Sequence, residues 1–194
     1  MRKLQNTDHI AWMLAALLLL LPARQSGATT VEDVRFEPRY HWEDITLHLR
    51  GAGILRYMLF IKAYAGALYL PPEIDRQTIF GDTPRRLAIA YFHAIEAADL
   101  AEATERLIRR NLGARAYEAL RPRVEAFNRA YRDVQPGDRY ALTFFPERGT
   151  ELTLNGQSLI TIAGVDFADA VFAIWLGENP IDRSFRDALL GGPK

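Results

Sequence analysis

The sequence predicts an α+β domain: a mostly antiparallel sheet with its helices gathered on one face. Three observations carry that prediction. Segments with strand-like composition come first, at residues 45–49, 54–70 and 86–93. The period then changes to that of helices between residues 99 and 131. Strands return around Asn155-Gly156, the dipeptide most strongly tied to a tight hairpin. Two helical stretches close the chain, and no internal repeat is present.

Each element has a local reason. Residues 29–44 mix charges with aromatics and read as an irregular arm or edge strand. Ile45 to Leu49 alternates apolar and polar, the pattern of a half-buried strand, and Gly51-Ala52-Gly53 is expected to break it. Ile54 to Leu70 holds no charge except Arg56 and Lys62. It reads as one long central strand covered on both faces, bent at Gly66 and stopped by Pro71-Pro72. Arg86 to His93 is a further strand with Leu87, Ile89 and Tyr91 on one face. Asp99 is a natural N-cap for a helix over Leu100 to Asn111, and Gly113 sits where a C-cap glycine belongs. Leu100, Ala103, Leu107 and Ile108 form its apolar stripe.

A second helix over 114–131 is restarted or kinked at Pro122 and buries Leu120, Val124, Phe127 and Tyr131. Gln135-Pro136-Gly137-Asp138 makes a turn, after which Tyr140, Leu142 and Phe144 alternate along a strand. The hairpin of Thr150–Leu154 and Gln157–Ile162 follows. Asp166 is the expected cap of a helix to Trp175, with Val165 as its staple residue. Asn179-Pro180 interrupts, and Asp182 to Leu190 forms the last helix before Gly191-Gly192.

The first residues are of another kind. Arg2 and Lys3 precede a dense apolar run from Ile10 to Leu21, and Ser26-Gly27-Ala28 offers small residues to a signal peptidase. This is the layout of a secretory signal peptide over 1–28, cleaved after Ala28 to leave a domain over 29–194. The apolar run is shorter than the roughly 20 residues a membrane span needs, so no stable span is expected after cleavage. A periplasmic or secreted location follows. Cleavage removes three cations (Arg2, Lys3, Arg24) and one carboxylate (Asp8), which takes the formal charge from +0 to −2. No basic run exceeds two residues, so no nucleic-acid partner is expected. The chain has 0 Cys, which excludes disulfides and thiolate metal sites.

Familiar catalytic signatures are absent: no phosphate loop, nucleophile elbow or paired-histidine metal helix, and no cofactor or metal is expected. His41, His48 and His93 read as polar positions on strands, although His41 and His48 could approach one another across adjacent strands. Arg56 stands out because a charge near the start of an apolar strand must be solvated, paired or offered to an anion. In strict alternation Arg56, Met58, Phe60, Lys62 and Tyr64 share one side. Two cations and a phenol among apolar residues would line a cleft that takes an acid by its carboxylate. The alternative is that Arg56 pairs internally and Lys62 reaches solvent.

At these residues the chain resembles the chalcone isomerase family, above all its bacterial exported branch of chalcone isomerase-like proteins. The likeness runs from Gly51-Ala52-Gly53 and Arg56 through Lys62-Ala63-Tyr64-Ala65-Gly66-Ala67-Leu68-Tyr69-Leu70 to Phe172–Glu178 with Trp175-Leu176-Gly177-Glu178 at its end, and covers roughly residues 31–192. The resemblance implies an open-faced β-sandwich, a large antiparallel sheet covered by helices with a ligand cleft between them. It also implies that Arg56 matches the family's arginine, that Tyr64 stands at the strand threonine, and that Asn111 and Thr104 take the asparagine and tyrosine positions. Ile174 stands where the C-terminal threonine or serine would be.

Ring closure of a chalcone needs a cation against the phenolate and donors against the developing enolate. Ile174 offers no hydrogen bond. Arg56 with Tyr64 more closely resembles the fatty-acid-binding relatives. The expected function is non-catalytic binding of a small apolar carboxylate, with Arg56, Tyr64, Lys62, Asn111 and Thr104 as ligand residues. The alternatives are an isomerase or intramolecular lyase using Arg56 on an enone, and a structural or partner-binding module whose cleft is filled by its own side chains.

Overall fold

A computed structural model describes residues 28–58, 61–74 and 78–192. The leader lies outside the described residues. Seven antiparallel strands form one sheet in chain order: β3 (Arg39–Trp42), β4 (Ile45–Tyr57), β5 (Ile61–Leu70), β6 (Arg85–Tyr91), β7 (Arg139–Phe145), β8 (Gly149–Leu154) and β9 (Gln157–Ile162). Ahead of them β1 (Thr29–Val31) and β2 (Val34–Phe36) make a separate hairpin. Helices α1 (Ala97–Leu112) and α2 (Ala114–Ala130) lie between β6 and β7, and α3 (Val165–Leu176) and α4 (Arg183–Leu189) follow β9. The α+β architecture expected from the element order is the one observed.

The sheet separates two apolar layers. On the helix side, the cross-strand row Leu68, Leu87, Leu142, Leu152 packs under α1, α2 and α3 and forms the main core with Phe127, Phe167, Val171 and Phe172. On the outer side, Ala65, Ala67 and Tyr69 meet Phe36, Val31 and Val34 of the β1–β2 hairpin. The same alternation that hides one set beneath helices presents the other to the hairpin. Among the described residues no helix is long and apolar enough to cross a membrane.

Four local expectations are corrected. Residues 54–70 are not one strand: the chain reverses after Tyr57, with Met58 at φ 50°, and returns as β5. Nor do Gly51 and Gly53 break a strand, since both lie inside β4. They are there because α4 packs directly on them. A Cβ at Gly53 would stand 2.7 Å from Ala188 Cβ, and one at Gly66 2.6 Å from Phe185 Cζ. Helix α1 starts earlier than Asp99, and its first amide, Ala97 N, donates to the Asp133 carboxylate at 2.9 Å. Gly164, at φ 105°, occupies the N-cap of α3, while Asp166 holds Arg123 through two bonds of 2.8 and 2.6 Å. Asp182 caps α4, accepting from Phe185 N at 2.6 Å.

Arg85 is wholly buried on the helix side. Its guanidinium donates to the carbonyls of Ile79, Gly81 and Thr83 at 3.0–3.1 Å and to Asp169 of α3 at 2.6 Å. It also lies 4.6 and 4.9 Å from the ring centres of Phe144 and Phe172. A buried charge needs this many partners, and here they pin the β5–β6 connection against α3.

Candidate functional site

Between the sheet and α1–α3 lies a cavity of about 100 Å³. Its floor is the inner face of β5–β8, with Leu87, Ile89, Leu142 and Leu152. Its roof is Leu107 and Thr104 of α1 and Ile174 of α3. Leu100, Trp175 and Ile181 are partly exposed and form its mouth. No charged side chain is among the lining residues.

The polar side-chain groups of the cavity are hydroxyls and the indole N–H of Trp175. Tyr64 and Tyr91 stand opposite each other on β5 and β6, with ring centres 5.6 Å apart edge to face. Tyr140 lies edge-on to Tyr91 at 6.0 Å and to Tyr131 at 5.5 Å, and Phe185 closes the other end of the series 5.6 Å from Tyr64. Such packing fixes each ring, so each hydroxyl has a set position. Trp175 Nε1 donates to Tyr64 OH at 2.8 Å. Thr104 Oγ1 and Tyr131 OH are 3.0 Å apart, and Tyr140 OH donates to the Arg132 carbonyl at 2.9 Å. Tyr91, 5% exposed, makes no hydrogen bond to a described residue.

Burial pushes Tyr64, Tyr91 and Tyr131 well above the usual tyrosine range. In Tyr64 the indole bond opposes this in part, and in Tyr131 the Thr104 hydroxyl does so. All three are therefore neutral groups at ordinary pH, able to donate or accept one hydrogen bond but not to supply charge.

The residues singled out from the sequence divide into two groups. Tyr64, Thr104 and Ile174 come together on the cavity wall. Arg56, Lys62 and Asn111 do not line it. Arg56 is exposed at the end of β4, opposite Lys62 rather than in line with Tyr64. The cause is twofold: the strand reverses between them, and a bulge at Ala63 pairs Leu55 with Tyr64 and Arg56 with Lys62. An extra residue flips the parity, so Lys62 turns to the outer side and meets Glu32 of the β1–β2 turn at 2.9 Å. Asn111 ties α1 to α3, donating through Nδ2 to the Ala173 carbonyl at 3.2 Å. His41 meets Thr46 at 3.0 Å, and no cluster of potential metal ligands exists among the described residues.

Sequence reasoning missed Tyr91, Tyr131, Tyr140 and Trp175 as members of one site. Each was legible as part of a buried face, but they come from four elements with no common spacing. A signal was present: hydroxyl-bearing aromatics recur on faces otherwise built of Leu and Ile.

Comparison with known proteins agrees with this geometry. The chain is similar in structure to a fatty-acid binding protein of Arabidopsis thaliana, with a TM-score of 0.66, 12% identity, and coverage of 84% of this chain and 95% of that one. At that identity the likeness is one of fold. A comparison with curated proteins returned no match. Residues 28–191 match the profile of the family described as chalcone isomerase-like, which takes in the whole sheet, all four helices and the cavity between them. The chain belongs to the chalcone isomerase-like family.

Proposed function

We propose that this protein is a non-catalytic binder of a small, largely apolar carboxylic acid of the fatty-acid kind, held in the cavity between sheet and helices. The observation that carries the reading is the Tyr91 hydroxyl: on a side chain only 5% exposed, it lies beside an apolar space, makes no hydrogen bond to a described residue, and is kept neutral. A hydroxyl that faces a largely apolar space with no protein partner is free to bond a ligand's head group. The apolar walls would take the chain and the hydroxyls of Tyr64, Tyr91, Tyr131 and Thr104 the head. The fold is also that of a protein known to bind fatty acids.

Ligand pockets commonly measure about 300–1,000 Å³. The present 100 Å³ therefore suits a short acyl chain, and a longer one has to displace Ile181 and Leu100 at the mouth. The isomerase alternative lacks support at the cavity wall, where no cation stands and Ile174 supplies no donor. Release into the periplasm or medium after cleavage at Ala28 belongs to the same proposal. It rests on the leader, and intact mass of the exported protein tests it.

Mass spectrometry of small molecules extracted from the purified protein, followed by titration of the acids found, is the direct test. The proposal expects a copurified or titratable monocarboxylic acid. Absence of any such acid, with no saturable binding from hexanoate to hexadecanoate, would overturn it.

A further inference from the structure

The outer face of the sheet carries a second cavity, of about 370 Å³, beneath the segment that joins β2 to β3. Its floor is a row of small side chains, Ala88, Ala141 and Thr153, side by side on β6, β7 and β8. One row to one side, Tyr69 and Arg86 stand opposite each other on β5 and β6. One row to the other, Arg139 opposes Ala90. At about 3.3 Å per strand residue, Arg86 and Arg139 bracket a trough roughly 13 Å long. Arg39 and Arg35 stand over it from the β2–β3 segment.

The charges on the lining are mostly positive: Glu37 stands with Arg35, Arg39, Arg86 and Arg139. Arg35 is satisfied by Glu37 at 3.0 Å. Arg139 donates to the Arg35 carbonyl at 3.1 Å and lies over Phe36. Arg86 donates to the Thr143 hydroxyl and lies 3.9 Å over the ring of Tyr40. Neither of these two, nor Arg39, forms an ion pair with a carboxylate among the described residues. Glu151 shares the cross-strand row of Arg86, but Thr143 lies between them. Tyr69 is 5% exposed, lines the trough and makes no hydrogen bond to a described residue. Burial, offset in part by Arg86, pushes it up to about 12, so its hydroxyl is a neutral donor.

A half-buried guanidinium without a carboxylate ion pair and a phenol without a hydrogen bond to a described residue share one cavity, and both have bonding capacity to offer an anion. We infer that this trough is a second binding site, for a compact molecule bearing a carboxylate or phosphate group. Arg86 and Arg139 grip its oxygens, Tyr69 donates to them, and the alanine floor gives room for a small body. The forked donors of arginine suit either oxyanion. The sheet separates this site from the helix-side cavity, so the two can be filled at once.

The test is calorimetric titration of the mature protein at low salt with inorganic phosphate and, separately, with succinate. Saturable binding below about 1 mM by either probe is expected, weakening as salt rises. The probe that binds identifies the group. Arg139→Gln and Arg86→Gln should each weaken it about tenfold or more. Arg139 is exposed, so its variant carries the test if Arg86→Gln does not fold. Decanoate binding to the other cavity should be unchanged in Arg139→Gln. Failure of both probes to saturate, or equal affinity in wild type and Arg139→Gln, would overturn the site. Loss of decanoate binding in Arg139→Gln would overturn its separateness.

Discussion

Filling the helix-side cavity should raise stability and abolish binding together. Ala103 of α1 lines the space and carries the smallest side chain on its roof. Ala103→Leu adds three carbons to a cavity of about 100 Å³. At about 0.8 kcal/mol per buried carbon the gain is at most roughly 2.4 kcal/mol. Restricting the leucine rotamers costs about 0.5–1 kcal/mol. The net gain of about 1.5 kcal/mol corresponds to a Tm higher by roughly 3–6 °C for a domain of this size. The acyl chain loses the same space, so affinity for decanoate should fall more than tenfold. Thermal unfolding followed by circular dichroism reads the first effect. Quenching or shift of Trp175 emission reads the second, because its indole lines the mouth and bonds Tyr64. A lower Tm with decanoate affinity unchanged would refute the reasoning, since the cavity would then be neither empty space nor the ligand's place.

Three further outcomes are expected. Tyr91→Phe should leave Tm within about 2 °C, because the hydroxyl removed makes no hydrogen bond to a described residue, while decanoate affinity measured by calorimetry falls about threefold to tenfold. Above pH 10 the unfolded chain ionises its tyrosines whereas folded Tyr64, Tyr91 and Tyr131 stay protonated, so stability is complete below pH 10 and lost as pH rises beyond it. At about 1.4 kcal/mol per group per pH unit, the three together cost about 4 kcal/mol per unit. Their tyrosinate absorbance should therefore appear only with unfolding, and its appearance in a protein with native circular dichroism would contradict the burial. Asp169→Ala leaves Arg85 buried with its three carbonyl partners but no counter-charge, and should cost about 3 kcal/mol, or roughly 6–12 °C in Tm. Asp169→Asn should cost less.

How far the sequence discloses this molecule depends on whether a feature is local. The hairpin at Asn155-Gly156 was legible because both residues take positive φ, 51° and 83°, which their types tolerate. Gly113 was legible as a C-cap for a similar reason, since it takes φ 76°. The turn after Tyr57 was not, because it has no Gly, Pro or Asn and Met58 takes the left-handed conformation instead. Its apolar residues made an unbroken run that imitates a central strand. Once that turn is missed, the parity of Arg56 relative to Tyr64 is lost, and with it the expected carboxylate clamp. The Arg85-Arg86 doublet shows the same limit. Adjacent strand residues face opposite ways, so one arginine enters the core and the other the outer trough, for reasons that lie in Asp169 and Tyr40 far along the chain. Of the residues carried by family resemblance, Tyr64, Thr104 and Ile174 did reach the cavity, because they belong to faces that the helical and strand periods already placed inward.

The sheet order has a kinetic consequence. Every strand from β3 to β9 pairs with its neighbours in sequence, so pairing can spread along the chain as each segment becomes available. The exception is α4, whose Ala188 sits against Gly53 and whose Phe185 sits against Gly66. Those contacts join the last helix to β4 and β5 and cannot form until the last residues have arrived. Ile174, Trp175 and Ile181 also come from that late segment. A chain stopped after β9 would have its strands and α1–α2 but not α3 or α4, and the inner row of Leu68, Leu87, Leu142 and Leu152 would be only partly covered, an aggregation surface where α3 should lie. Closure of the helix-side cavity and full cover of the sheet are thus completed together, by the C-terminal residues.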